Sequence, residues 1–209
     1  MNGIIFDLDG TLWDSSKQVA VAWNNAMRDY SGGRISVNDD FMKSIMGKNM
    51  DEIALMLFQN YPDLDIELIY KKCFEYEEEY LLKYGAELYP ELESTLKILS
   101  ESYKLSIVSN CQKGYIEAFL NHYGFEKYFS DRECFGNTLK EKDYNIKLVH
   151  ERSGCEKSIY VGDTEWDYNS ATKAGFKFIH ARYGFGKVPE DVLYINSINE
   201  LPDLIKDLY

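Results

Sequence analysis

Hydrophobic and polar positions follow two different rhythms along this chain. In "MNGIIFDLDGTLWDSS" the first apolar run, Gly3 to Phe6, stops on Asp7. A short continuous apolar run bounded by polar residues predicts a strand buried on both faces. From about residue 90 onward such runs alternate with helical patterns. "YPELESTLKILSES" spaces Leu92, Leu96 and Leu99 on one helical face, and "KGYIEAFLNHYG" does the same with Ile116, Phe119, Leu120 and Tyr123 before the stop signal Gly124. "YNIKLVHERSG" and "WDYNSATKAG" also read as helices, the latter closed by Gly175. "KLSIVSN", "KSIYVGD", "KFIHARYG" and the short "LYINS" read as strands, and "INELPDLIKDLY" as a terminal helix with Leu201, Leu204, Ile205 and Leu208 in register. Strand–helix alternation predicts an α/β fold: a doubly wound parallel sheet, Rossmann-like, with helices on both faces.

Residues 15 to 86 break that rhythm. Val19, Ala22, Trp23, Ala26, Met27 and Tyr30 form one amphipathic stripe, and Ile66, Ile69, Tyr70 and Cys73 another, with no convincing strand between them. The expectation is a helical cap domain, 15–86, inserted into a catalytic core made of 1–14 and 87–209, with hinges near Ser15 and near Gly85 to Pro90. Within the second stripe the acidic run "EYEEEY" reads as the solvated face of its helix.

Composition narrows the function. The 209 residues are enough for one domain with a smaller insert, and 45% hydrophobic with 28% charged residues is ordinary for a globular protein. A net charge of −12 argues against nucleic acid or an anionic membrane surface as partner. An anionic substrate would therefore need a locally positive site, supplied by a metal or a few placed cations. No apolar stretch reaches the roughly 20 residues that span a bilayer, and no export signal is evident. Cys73, Cys111, Cys134 and Cys155 are scattered without a C-x-x-C pair, which suits free thiols in a reducing cytosol.

Ligands of an open parallel sheet bind at the carboxyl ends of its strands. Three of the expected strands end in residues suited to a phosphate and a magnesium ion. The first ends in Asp7 and Asp9 with Thr11 beyond, another in Ser109 and Asn110, a third in Asp163 with Asp167 a helical turn later. Lys142, just before a helix, offers a cation. One aspartate after a strand is usually a cap or turn residue, but the convergence of the set is not explained that way.

"FDLDGTLWDS", "VSN", Lys142 and "VGDTEWD" resemble the four signature motifs of the haloacid dehalogenase-like hydrolase superfamily. Within it the chain resembles the phosphoglycolate phosphatase and β-phosphoglucomutase branch, whose helical cap follows the first motif. The third motif departs from the usual pattern in lacking prolines after the lysine, so Lys140 competes with Lys142 for its role.

The resemblance implies a cytoplasmic, Mg2+-dependent phosphatase acting on a small phosphorylated metabolite. Asp7 would attack phosphorus and form an aspartyl-phosphate, and Asp9 would protonate the leaving oxygen. Gly10 would let the chain bend so that both carboxylates face one cavity. Thr11, Ser109 and Asn110 would bind the phosphoryl oxygens and Lys142 would neutralise charge. Asp7, Asp163 and the Asp9 carbonyl would hold the metal, with Asp167 orienting ligands and waters around it. An aspartate at position 9 points to a phosphatase or mutase rather than a dehalogenase or an ATPase. The alternatives are a sugar phosphomutase, which needs a second phosphate-binding group in the cap, and a non-catalytic phosphometabolite-binding protein, which would be expected to lack Asp7 or Asp9. The partner is the small metabolite alone, and monomer or homodimer both remain open.

Other motifs add less. Gly47-Lys48 has Met42 where a P-loop needs glycine, so Lys48 and Asn49 are instead candidates to touch the non-reacting part of the substrate. "YGFGKV" lacks a dinucleotide context and reads as a loop. Cys111 has no histidine partner near it in sequence, and His122, His150 and His180 lack metal-ligand spacing.

Overall fold

A computed structural model describes residues 1–48, 50–189, 191–206 and 208; Asn49 lies outside the described residues. In chain order the elements are β1 (Gly3–Phe6), β2 (Trp13–Asp14), α1 (Ser16–Ser31), α2 (Asp39–Ile45), α3 (Met50–Phe58), α4 (Ile66–Tyr84), β3 (Glu87–Leu88), α5 (Leu92–Ser100), β4 (Lys104–Ser109), α6 (Tyr115–Tyr123), β5 (Phe129–Cys134), α7 (Phe135–Thr138), α8 (Lys142–Ser153), β6 (Ser158–Gly162), α9 (Glu165–Ala174), β7 (Lys177–Ala181), β8 (Tyr194–Ile195) and α10 (Leu201–Lys206).

Six strands form one parallel sheet in the order β5-β4-β1-β6-β7-β8. The first strand is thus central, flanked by β4 and β6, and is buried at every residue. Its pleat separates two cores. Ile4 and Phe6 pack with Leu96 of α5, Phe119 of α6 and Ile205 of α10, whereas Ile5 packs with Ile146 of α8 and Ala171 of α9. Helices on both faces explain why the central strands carry no polar alternation. The sequence reading missed β5. Its text, "FSDREC", is polar because it is an edge strand with a half-exposed face, where Arg132 pairs with Glu117 and Asp131 with Arg152.

Between β1 and the rest of the sheet lie α1 to α4, with α1 packed along α4. The chain enters and leaves them through β2 and β3, a two-stranded antiparallel ribbon pairing Trp13 with Leu88 and Asp14 with Glu87. One expectation needs correction. The "EYEEEY" run is not wholly a solvated face: Glu78 and Glu79 are exposed, but Glu77 is buried. It continues the stripe Ile69, Cys73, Glu77, Leu81 at helical spacing, so α4 turns this acid inward.

Candidate active site

The main chain stops being a strand at Asp7, whose amide donates to the Val161 carbonyl of β6 at 2.8 Å. Beyond it the Leu12 amide donates to the Leu8 carbonyl at 2.9 Å, closing one tight turn, and Gly10 donates to the Trp13 carbonyl at 2.9 Å. Gly10 has φ +81°, and a Cβ there would stand 2.2 Å from Asp163 Oδ2, so both conformation and space require glycine. This turn breaks the alternation of a strand. Asp7 and Asp9 therefore face one cavity, which Ser109, Asn110 and Lys48 also line.

Beneath the cavity Lys142, at the start of α8, is 2% exposed and donates to Asp7 Oδ1 at 2.8 Å and to Asp167 Oδ1 at 2.7 Å. Burial works against its charge, but Asp167 and Asp7 outweigh that and hold its pKa above the usual lysine range. Lys140 is exposed at the surface, so geometry favours Lys142 as the cation of the site. Asp7 is pushed up to about 7, first by burial and then by the Asp167 charge, with Lys142 pulling the other way. Asp163 is raised well above the ordinary range by burial, then by Asp167 and Asp7.

Asp7, Asp163 and Asp167 each bring a carboxylate oxygen within 4.8 Å of the others. Asp163 Oδ1 is buried with no hydrogen-bond partner, while its Oδ2 accepts from the Phe185 amide at 2.7 Å. Crowded, desolvated carboxylates with one orphaned oxygen are the donor set a hard divalent cation satisfies, and magnesium fits it. Asp167 is more fully engaged. Its Oδ2 accepts from Thr164 Oγ1 and the Thr164 amide at 2.6 and 3.0 Å, closing a capping box at the start of α9, and its Oδ1 takes Lys142 and Tyr160.

Asp9 is held differently. Its Oδ1 accepts from Ser15 Oγ at 2.6 Å, Tyr115 Oη at 2.7 Å and Trp13 Nε1 at 2.9 Å. Burial raises its pKa and these three donors lower it, leaving the carboxyl above its usual range. On the far side, Asn110 Nδ2 donates to the Gly47 carbonyl at 3.0 Å, joining the β4 loop to the segment after α2.

Thr11 is not brought to the cavity wall. It is fully buried, its hydroxyl has no partner, and its carbonyl accepts from Tyr183 Oη at 2.8 Å. Cys111 does line the cavity, but burial and then the neighbouring Cys134 push its thiol pKa up, the reverse of an activated nucleophile. His180 Nε2 lies 3.2 Å from the Asp163 carbonyl, His122 Nδ1 lies 3.0 Å from the Leu82 carbonyl, and His150 Nδ1 lies 2.8 Å from the Ser158 hydroxyl.

Two groups escaped the sequence reading. One is the donor set around Asp9. The other is the loop "YGFG", where a Cβ at Gly184 would lie 2.3 Å from Asp163 Cβ and one at Gly186 2.7 Å from the Asp163 carbonyl. Those glycines let the loop wrap Asp163 and present the Phe185 amide. The signal for it was paired glycines shortly after a strand, read only for a dinucleotide.

Residues 4–181 match the model of the haloacid dehalogenase-like hydrolases. The chain belongs to this family. It is 29% identical to a phosphoglycolate phosphatase of Aquifex aeolicus, over 99% of this chain and 96% of the relative, and 30% identical to one from Aliivibrio fischeri, over 87% and 84%. A haloacid dehalogenase-like family hydrolase from Streptococcus pneumoniae superposes with TM-score 0.82 at 22% identity, covering 97% of both chains. CbbY from Rhodobacter sphaeroides, solved in complex with xylulose-(1,5)bisphosphate, superposes with TM-score 0.78 at 17% identity over 95% of each chain. Among the described residues no helix is long and apolar enough to cross a membrane.

Proposed function

We propose that the protein is a magnesium-dependent phosphatase that hydrolyses the monoester of a small phosphorylated metabolite through an aspartyl-phosphate on Asp7. The observation that carries this reading is the Lys142 bridge between Asp7 and Asp167, with Asp9 facing the same cavity as Asp7. The phosphatase names of the two relatives support it.

In this reading a carboxylate oxygen of Asp7 attacks phosphorus, splitting one slow hydrolysis into two displacements. Lys142 favours the ionised form of that carboxylate against burial and the Asp167 charge, and offsets charge on the phosphoryl oxygens, which Ser109 and Asn110 hold from the β4 end. Asp9, its pKa raised, carries the proton to the leaving oxygen and later takes one from the attacking water. Asp7, Asp163 and the Asp9 carbonyl would hold the magnesium ion, which supplies charge neutralisation between the carboxylates and a dianionic substrate. Asp167 fixes Lys142 rather than binding the ion. Helices α1 to α4, residues 15–86 with their flanking turns, act as a cap that excludes bulk water, and the Asn110–Gly47 bond is a closing contact. The four free thiols fit a cytosolic setting.

A mutase needs a second phosphate-binding group in the cap. Among the described lining residues Lys48 is the sole cation, and the cap side otherwise brings aromatic rings and the acid Glu77, which would not hold a second phosphate, so hydrolysis is favoured. The test is turnover of p-nitrophenyl phosphate and a panel of phosphomonoesters with magnesium. Activity lost to chelator and to Asp7→Asn supports the reading, and no turnover of any ester by the wild type overturns it.

A further inference from the structure

The cap side of the cavity has a chemistry that phosphoryl transfer does not call for. Trp23, Tyr70 and Phe74 line it. The Trp23 ring stands 5.8 Å from Tyr70 and 6.0 Å from Phe74, at interplanar angles of 88° and 75°, so the rings make an aromatic corner. Into that corner α4 places one acid. Glu77 lines the cavity, is 4% exposed, and accepts a hydrogen bond from Trp23 Nε1. Burial pushes its pKa up to about 8, the cost of holding an acid there without a cation.

A carboxylated leaving group would meet this wall badly. Its negative charge would sit against a wall of aromatic rings and beside a buried carboxyl, and no arginine lines the cavity among the described residues. Lys48 also lines the cavity, from the turn after α2, whereas Trp23, Tyr70, Phe74 and Glu77 come from α1 and α4. An organic ammonium has the opposite fit. Aromatic faces and a desolvated carboxylate are the two protein groups that attract it most strongly.

We propose that the leaving group is an amino alcohol, its ammonium held in the corner of Trp23, Tyr70 and Phe74 and paired with Glu77. This rests on the phosphatase reading above and names its substrate class. Glu77 is then a specificity-determining residue that touches the non-reacting end of the substrate.

The test uses O-phosphorylethanolamine and 2-phosphoglycolate, two esters of similar size with opposite charge at the far end. The expected wild-type kcat/KM is about tenfold or more higher for phosphorylethanolamine. Glu77→Gln should shrink that ratio by a similar factor, through KM rather than kcat. Preference for 2-phosphoglycolate, or an equal loss on both esters in Glu77→Gln, overturns the proposal. Calorimetric binding of the two esters to Asp7→Asn separates the two readings. If p-nitrophenyl phosphate and both esters are all inert with the wild type, the phosphatase reading fails. Tighter binding of phosphorylethanolamine would still support the ammonium corner, and equal or tighter binding of 2-phosphoglycolate would overturn it.

Discussion

Lys142 Nζ lies 2.7 Å from Asp167 Oδ1, and both side chains are shut away from solvent. The same ammonium reaches Asp7 at 2.8 Å, so one buried cation serves two buried acids, one at the end of β1 and one in the first turn of α9. Removing one partner of such a set leaves uncompensated charge and costs roughly 3–5 kcal/mol. Lys142→Met should therefore lower Tm by roughly 6–20 °C, as read by calorimetry. Adding Asp7→Asn to that variant should restore part of the loss, because one orphaned acid is then neutral. Additive losses in this double-mutant cycle would mean the pair is not coupled.

The donors around Asp9 give the second prediction. A general acid matters in proportion to how poorly the leaving group departs on its own. With Asp9→Asn, turnover of an alkyl phosphate should fall by roughly 10²–10⁴-fold. p-Nitrophenyl phosphate, whose phenolate leaves without a proton, should lose much less in the first step. Equal losses on the two esters would remove Asp9 from proton transfer.

Asp163 Oδ1 is buried and unpartnered, and that defines a metal prediction read without turnover. A ligand that binds only the folded state stabilises it by about 2.7 kcal/mol at a hundredfold excess over its Kd. Magnesium should raise the wild-type Tm by several degrees and chelator should reverse it. Asp163→Asn should abolish the shift, since it removes the charge but keeps the acceptor for the Phe185 amide. A magnesium shift that survives this substitution would place the ion elsewhere.

The parts that were legible in the sequence were those where one physical demand fixes the residue types. Ile4, Ile5 and Phe6 read as a central strand because both faces of the sheet are covered. Asp7, Asp9, Ser109, Asp163 and Lys142 read as a site because they recur at the ends of strands or starts of helices. Less was legible where two demands compete. β5 carries charges because an edge strand meets solvent, which hides its pairing. Thr11 is adjacent in sequence to the reacting groups yet is fully buried, in the turn that closes on the Leu8 carbonyl, and does not line the cavity. Glu77 sits in an acidic run, and charge concealed it although its spacing from Cys73 and Leu81 already placed it on the buried stripe.

That acid also makes a prediction about pH. Glu77 titrates near 8 in the folded chain against 4.5 as a free side chain, with burial the main cause. Its folded-state pKa is raised, so between those values the folded protein binds more protons there than the unfolded one. Its contribution is therefore most favourable below about pH 4.5 and is lost as pH rises toward and through about 8. The full swing is roughly 5 kcal/mol at about 1.36 kcal/mol per pH unit. Glutamine keeps the acceptor for Trp23 Nε1 and cannot ionise. Glu77→Gln should accordingly gain on the wild type as pH rises, with a Tm difference that is larger at pH 9 than at pH 6. An ammonium ligand that pairs with Glu77 should narrow that gap from the wild-type side. A Tm difference that stays flat across this range would mean the buried carboxyl is not titrating there.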